Sequence, residues 1–164
     1  MTNLLPRKLI EAATRTVARN RAAGRVVALA ESCTGGLVAA ALTEVAGSSA
    51  VLDRSYVTYS NAAKQQMLGV SGDIIETFGA VSIACAWAMA QGALNRSNAD
   101  IAVAITGIAG PDGGSDGKPV GTVVFARATR GSDEIETDER YFDAPDRAGV
   151  RLQAALLALE LLEP

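Results

Sequence analysis

Ser32 and Lys64 are candidates for nucleophilic catalysis because of their residue types and their positions after predicted strands. A serine hydroxyl attacks a carbonyl carbon when a neighbouring base removes its proton, and a lysine is such a base when its amine is neutral. The sequence contains no histidine, which excludes a Ser-His-Asp triad, a Cys-His pair and every His-ligated metal site. If Ser32 is a nucleophile, its base must therefore be Lys, Tyr, Asp or Glu. Lys64 could form a Ser-Lys pair with it, with Tyr59 either relaying the proton or orienting the amine.

The residues next to Ser32 leave alternatives open. A serine at the start of a helix is often only a cap. Cys33 is a rival nucleophile, although beside an apolar strand it is equally compatible with inert packing. Glu31 could orient Lys64 or bind a metal, but a single acid without a second acidic cluster does not predict a metal site. We therefore expect no metal.

The segment around Ser32 has the pattern of a strand, a tight turn and a helix. Residues 26–30 are apolar, Gly35 and Gly36 follow the serine, and residues 37–45 are amphipathic. This order places Ser32 at the top of a sheet, where amide groups at the start of the helix could hold an anion or a developing oxyanion. The motif is neither a G-x-S-x-G elbow nor a Walker A loop, so the local pattern does not decide the chemistry.

Lys64 belongs to a second group of polar residues, which follows the next predicted strand. Residues 51–60 predict that strand, and Asn61 is a good N-cap for a short helix at residues 62–68. Lys64 would then lie in the first turn, where the helix dipole disfavours a cation and lowers the pKa of the amine. A lysine that acts as a base would benefit from this position.

A third polar group follows a continuous apolar run at residues 100–105. It consists of Thr106 and a glycine-rich loop at residues 107–114, and such a loop after a buried parallel strand is where α/β folds place ligands. The alternative is a simple turn. Arg147 and Arg151 could clamp a phosphate, or could be solvated charges at a helix end. If this strand is parallel to the first, the polar groups share one pocket.

The remaining elements complete a single α/β domain over residues 1–164, with a mixed sheet. The other predicted elements are helices at residues 4–23, 72–78, 83–95 and 148–162 and strands at residues 120–129 and 134–142.

Composition narrows the classes of function. A formal net charge of −3 without a block of Lys and Arg argues against a protein that binds nucleic acid. No apolar run reaches the roughly 20 residues that a membrane helix needs. Two cysteines do not make a disulfide framework and no secretion signal is evident, which favours a reducing cytoplasm. The alanine-rich helices and the apolar excess favour a homodimer.

Taken together, these motifs resemble the carboxy-terminal domain of the CinA family. The resemblance covers nearly the whole chain and implies a three-layer α/β/α domain with a mixed, mostly parallel sheet. Between Phe142 and Arg147 the chain departs from the family pattern, which usually has a glycine where Ala144 or Pro145 stands. The matching segments are residues 31–36, 47–49, 59–64, 68–70, 79–82, 104–114 and 118–123.

The resemblance also implies an activity. Stand-alone members of the family are nicotinamide-nucleotide amidohydrolases, which convert nicotinamide mononucleotide (NMN) to nicotinate mononucleotide and ammonia in the recycling of pyridine nucleotides. It implies Ser32 as nucleophile, Lys64 as base and Tyr59 beside them, with no cofactor. The backbone around Thr34 and Gly35 would form the oxyanion hole. The expected substrate contacts are Glu31, Thr34, Gly35, Asn61, Thr106, Gly107, Gly110, Gly113, Gly114 and Arg147. A nucleotide-binding regulatory module without catalysis is the alternative.

Overall fold

The computed structural model describes residues 2–164, and every predicted helix and strand is present with its ends shifted by a few residues. Within these residues, no helix is both long and apolar enough to cross a membrane. A short 3-10 helix, Ser48–Ala50, precedes the second strand. In chain order the elements are α1 (Arg7–Ala22), β1 (Val27–Glu31), α2 (Leu37–Thr43), β2 (Leu52–Val57), α3 (Asn61–Leu68), α4 (Gly72–Phe78), α5 (Ile83–Asn95), β3 (Ile101–Gly107), β4 (Thr122–Thr129), β5 (Ile135–Tyr141) and α6 (Arg147–Leu161).

The strands form one mixed sheet in the order β2-β1-β3-β4-β5. β1 pairs in parallel with both β2 and β3, whereas β4 is antiparallel to both of its neighbours. Every residue of β1 is buried, as expected for a strand covered on both faces. Helices pack on the two faces of the sheet. This arrangement confirms the predicted three-layer α/β/α fold.

The two faces of the sheet differ in the size of their side chains. On one face, larger residues such as Leu29 and Val103 pack against α1, α2 and α6. On the other face, alanines such as Ala30 and Ala104 pack against α5. Successive residues of a strand point to opposite faces, so the larger residues of β1 and β3 face one helix layer and the alanines face the other. The small side chains let α5 lie close to the sheet.

The carboxyl ends of the three parallel strands meet at one edge of the sheet, as predicted. Glu31 is level with Ile105 in the pairing of β1 with β3. Beyond the strand, the Ser32 N–H donates to the Ile105 carbonyl at 2.9 Å, and on the other side the Thr58 N–H donates to the Glu31 carbonyl at 2.8 Å. The residues that follow β1 and β2 therefore lie beside the end of β3.

Candidate active site

Ser32 lies directly after β1 and is 7% exposed. Its Oγ is 2.9 Å from Nζ of Lys64, a distance at which a proton can pass between the two atoms. The two residues are 32 positions apart in the chain, and the fold brings them together because β1 and β2 are adjacent parallel strands.

Lys64 reaches Ser32 from α3, which begins one residue earlier than predicted. The N-cap is Ser60, whose hydroxyl accepts the Ala63 N–H at 3.0 Å, and not Asn61, which is the first residue of the helix. Ser60 has the extended backbone that a capping residue requires, so its side chain can turn back to the helix. Lys64 is 1% exposed, so its amine is enclosed by protein.

The Lys64 amine has three hydrogen-bond partners. It donates to the carbonyl oxygens of Thr58 at 2.9 Å and Tyr59 at 3.2 Å, which can only accept. The third partner is Ser32 Oγ. None of the ion pairs within residues 2–164 includes Lys64. A neutral amine can therefore keep both carbonyl contacts and turn its lone pair to the serine hydroxyl.

Burial lowers the pKa of Lys64 from its ordinary value, because a charged amine loses its hydration inside the protein. The direction agrees with the sequence prediction, but the main cause is desolvation and not the helix dipole. A lowered pKa increases the fraction of neutral amine at a given pH. The site therefore favours the form of lysine that can accept a proton.

Tyr59 contacts the Lys64 amine through its backbone carbonyl, whereas its phenol hydroxyl is hydrogen-bonded to Arg147. Its side chain is 62% exposed, and the hydroxyl accepts from Nη2 of Arg147 at 2.7 Å. Nη1 of Arg147 donates to the Gly110 carbonyl at 2.7 Å. The prediction that the phenol relays a proton from Ser32 is therefore not supported by this geometry, although the Tyr59 carbonyl does orient the Lys64 amine.

A cavity of about 260 Å³ lies in front of Ser32. Of the residues predicted to form the site, it brings together Ser32, Tyr59, Asn61, Lys64, Thr106, Gly107 and Arg147. Four lining residues were not predicted as contacts, namely Cys33, Ala80, Val81 and Ala109. Thr106 donates its hydroxyl to the Ala80 carbonyl at 2.8 Å, which fastens the segment before α5 to the cavity wall. The only sequence signal for that segment was its match to the family pattern at residues 79–82.

Glu31 does not face the cavity, contrary to the prediction. Its fully buried carboxylate accepts from the N–H groups of Val38 at 2.9 Å and Ala39 at 3.2 Å. It also accepts from the hydroxyls of Thr34 at 2.8 Å and Ser55 at 3.0 Å. Glu31 therefore caps α2, and the first amides of that helix are not available to an external anion. Thr34 is likewise buried, with its hydroxyl turned to Glu31.

Of the two amides predicted for the oxyanion hole, the turn after Ser32 leaves that of Thr34 without a backbone acceptor but not that of Gly35. Gly35 has a left-handed backbone, with φ of 58°, and its N–H donates to the Ser32 carbonyl at 3.0 Å. The Gly35 amide is therefore not available to an oxyanion. Within residues 2–164, the N–H groups of Cys33, Thr34 and Gly36 donate to no backbone carbonyl, and of these three residues Cys33 lines the cavity.

Most of the predicted glycines of the glycine-rich loop do not line the cavity. Gly107 lines the cavity, but Gly110, Gly113 and Gly114 do not. Gly110 has φ of 81°, and a Cβ there would collide with the Val120 side chain. Its carbonyl accepts from Arg147, so the loop contributes by positioning that arginine.

The remaining candidates have other partners. Arg151 donates to the carbonyls of Cys33 at 3.0 Å and Thr34 at 3.1 Å, so it does not form the predicted clamp with Arg147. Burial raises the pKa of the Cys33 thiol to about 11. A thiol with that pKa is protonated at neutral pH, which makes Cys33 a poor rival to Ser32 as nucleophile.

Comparison with known proteins finds relatives that are about 50% identical to this chain. The chain is 49% identical over 154 residues to the nicotinamide-nucleotide amidohydrolase PncC of Enterobacter agglomerans, covering 94% of this chain and 93% of that protein. It is 52% identical over 142 residues to the protein of the same name from Escherichia coli K12, covering 87% of this chain and 85% of the relative.

The fold has a close counterpart among solved structures. The competence/damage inducible protein CihA from Agrobacterium tumefaciens superposes with a TM-score of 0.93 at 50% identity, covering 98% of this chain and 97% of the other. The family described as the CinA C-terminal domain matches residues 10–164. The chain therefore belongs to the CinA C-terminal domain family.

Proposed function

We propose that this chain hydrolyses the carboxamide of NMN to nicotinate mononucleotide and ammonia, with Ser32 as nucleophile and Lys64 as base. The observation that carries the proposal is the 2.9 Å separation of Ser32 Oγ and Lys64 Nζ. A buried lysine beside a serine, with its other contacts made to carbonyls, has the arrangement that activates a hydroxyl. The names of relatives that share about half of their residues with this chain support NMN as the substrate.

In the first half of the reaction, the neutral Lys64 amine removes the Ser32 proton as Oγ attacks the carboxamide carbon. The tetrahedral intermediate carries a negative oxygen, for which we assign the N–H groups of Cys33 and Thr34 as donors. The Lys64 ammonium then gives its proton to the leaving nitrogen. The C–N bond breaks, ammonia departs and the nicotinoyl group stays on Ser32 as an ester.

In the second half of the reaction, water takes the place of ammonia. Lys64 removes a proton from the water as its oxygen attacks the ester carbon, and the same amides hold the negative oxygen. Collapse of the intermediate returns a proton to Ser32 Oγ and releases nicotinate mononucleotide. The net reaction consumes one amide and one water and needs no metal or other cofactor.

Arg147 is the residue we assign to the phosphate of NMN. Its guanidinium lies in the cavity wall between the Gly110 carbonyl and the Tyr59 hydroxyl. Neither contact neutralises its charge, and no ion pair within the described chain includes it. A planar cation of this kind suits a phosphate. Asn61, Thr106 and Gly107 line the same cavity and are assigned to the rest of the substrate.

The proposal places the enzyme in the recycling of pyridine nucleotides in the cytoplasm, as a homodimer that does not bind nucleic acid. The cytoplasm is supported by two buried cysteines that are not joined in a disulfide. A pair of chains is supported by the exposed side chains of Phe78, Ile83 and Trp87, which lie along one groove.

Ammonia release from NMN by the purified protein, with EDTA present, tests the proposed function. We expect release by the wild type and by Lys8→Met, a variant of an exposed lysine on α1, and none by Ser32→Ala or Lys64→Met. Calorimetry should show that Ser32→Ala still binds NMN. A wild type that binds NMN without releasing ammonia would overturn the proposal and favour a regulatory module.

A further inference from the structure

Arg151 donates to two carbonyls of the turn that follows Ser32. Its Nε lies 3.0 Å from the Cys33 carbonyl oxygen, and its Nη2 lies 3.1 Å from the Thr34 carbonyl oxygen. No ion pair in residues 2–164 includes Arg151. Its positive charge is therefore directed at these two peptide groups, although the proposed reaction assigns it no role.

Each of these carbonyls belongs to a planar peptide whose N–H points the opposite way. The Cys33 carbonyl shares its peptide with the Thr34 N–H. The Thr34 carbonyl shares its peptide with the Gly35 N–H, which donates to the Ser32 carbonyl at 3.0 Å. The Ser32 carbonyl in turn shares its peptide with the Cys33 N–H. Two short chains of peptide dipoles therefore run from the Arg151 guanidinium and end at the N–H groups of Cys33 and Thr34.

These two N–H groups donate to no backbone carbonyl in the described turn. The Gly36 N–H also donates to none, but no chain of peptides from Arg151 leads to it. Hydrogen bonds in a chain polarise one another, so a cation at the carbonyl end strengthens the donor at the other end. Consecutive N–H groups also form a concave site for an anion when the carbonyls of the same peptides are hydrogen-bonded on the opposite side. The turn is therefore both oriented and polarised before a negative oxygen develops.

We propose that Arg151 is a positioning residue for the oxyanion hole, which fixes and polarises the N–H groups of Cys33 and Thr34. The inference rests on the proposed attack by Ser32. The amides would help most when the substrate oxygen carries a full negative charge, so loss of Arg151 should slow the chemical step with little effect on NMN binding. Arg147, one turn earlier on α6, is assigned to the phosphate and provides a contrasting variant.

The first test compares Arg151→Gln with Arg147→Gln in steady-state hydrolysis of NMN. We expect Arg151→Gln to lower kcat by about 10- to 100-fold with KM little changed, somewhat less than the loss of an oxyanion donor itself. Arg147→Gln should mainly raise KM. Arg151→Lys keeps the charge and can reach one carbonyl, so its kcat should lie between those of Arg151→Gln and the wild type. A raised KM with unchanged kcat in Arg151→Gln would overturn the inference.

The second test does not depend on the substrate. A small alkyl fluorophosphonate reacts with an activated serine through a negatively charged oxygen, and mass spectrometry measures the rate at which Ser32 is labelled. We expect slower labelling in Arg151→Gln than in the wild type, at equal thermal stability, and labelling within about twofold of wild type would overturn the inference. If Arg151→Gln fails to fold, Arg151→Lys decides, and labelling of that variant at the wild-type rate would overturn the inference.

The two tests separate the inference from the proposed substrate. A wild type that is labelled at Ser32 but releases no ammonia from NMN would refute the substrate, while the relative labelling rates would still decide the role of Arg151. A wild type that is not labelled at Ser32 would overturn both proposals.

Discussion

Lys64 is enclosed by protein, yet its closest partners within residues 2–164 are two carbonyls and a hydroxyl. A buried ammonium without a carboxylate is costly, so such a group shifts its pKa and loses its proton more easily. The two carbonyls satisfy the N–H groups of the neutral amine. At the scale of residues, the burial that disfavours the charged form thus favours the neutral amine that the proposed mechanism requires.

Replacing Lys64 by methionine should change how the stability of the protein depends on pH. The folded-state pKa of Lys64 is lowered from 10.5, so between that lowered pKa and 10.5 the unfolded chain binds more protons than the folded one. Wild-type stability should therefore rise with pH through this window, relative to Lys64→Met. Melting temperatures measured across the window, with Lys8→Met as control, check this. Parallel curves for wild type and Lys64→Met would contradict it.

Arg147→Gln should weaken the binding of NMN but not that of nicotinamide riboside, which lacks the phosphate. A hydrogen bond to a charged group contributes about 1.5–3 kcal/mol, so KM for NMN should rise about 10- to 100-fold. The measurement is KM for both compounds in both proteins. An equal change for the two compounds would place Arg147 elsewhere on the substrate.

At the scale of elements, the turn after Ser32 is held from two sides. Glu31 binds the first amides of α2 from within the sheet edge, and Arg151 of α6 binds the turn carbonyls from outside. On the other side of the sheet, α5 packs against α3, which carries Lys64, with Gly92 at the contact. The distance between Ser32 and Lys64 therefore depends on the packing of α2 and α6 against the turn and of α5 against α3.

Glu31→Gln should destabilise the fold, because an amide N–H₂ would face groups that are themselves donors. The expected loss is about 1–3 kcal/mol in the free energy of unfolding. Glu136→Gln is the control, since that side chain is 75% exposed, and it should change stability by less than about 0.5 kcal/mol. Urea unfolding measures both variants. Equal stabilities would show that the carboxylate of Glu31 is not needed as a cap.

Gly92→Ala tests the contact between α5 and α3. A Cβ at this position would overlap the Leu68 carbonyl oxygen, so the helices must separate at a cost of about 1–3 kcal/mol. The matched control is Gly117→Ala, where a Cβ would meet nothing within 4 Å. We expect a lower melting temperature for Gly92→Ala and little change for Gly117→Ala. The same melting temperature in both would contradict the close packing.

At the scale of the whole molecule, the sequence pattern predicts which residues meet at the site, because the ends of buried strands can be recognised locally and the fold brings those ends together. Parallel strands carry the residues after them to one edge, which is why Ser32, Tyr59 and Thr106 could be predicted as neighbours. The direction of the Glu31 side chain could also have been predicted, because alternate residues of a strand point to the same face. Glu31 follows Val27 and Leu29 in this alternation, and those two residues face α1, α2 and α6.

Other features had no local signal. The bond between Arg147 and the Tyr59 hydroxyl joins residues 88 positions apart and depends on where α6 docks. The carbonyl contacts of Arg151 depend on the same docking, so charge spacing alone suggested a phosphate clamp. The glycines at positions 113 and 114 have positive φ and shape the loop. Composition alone does not distinguish a glycine with this role from one that binds a ligand.

The proposed homodimer predicts a solution mass of twice 16.8 kDa. Phe78, Ile83 and Trp87 are each about half exposed, and burying such a patch against a second copy removes apolar surface from water. Static light scattering at micromolar concentration measures the mass, and Trp87→Glu should shift it toward one chain. A single-chain mass for the wild type would refute the dimer.

In the proposed mechanism, the carboxamide carbon of NMN forms an ester with Ser32 Oγ before water releases it. The most direct measurement is mass spectrometry of protein quenched in acid during turnover of NMN, with fragmentation of the peptide that carries Ser32 and Cys33. We expect a nicotinoyl-nucleotide adduct on the Ser32 oxygen, absent from Ser32→Ala. An adduct on Cys33, or ammonia release by Ser32→Ala at the wild-type rate, would contradict it.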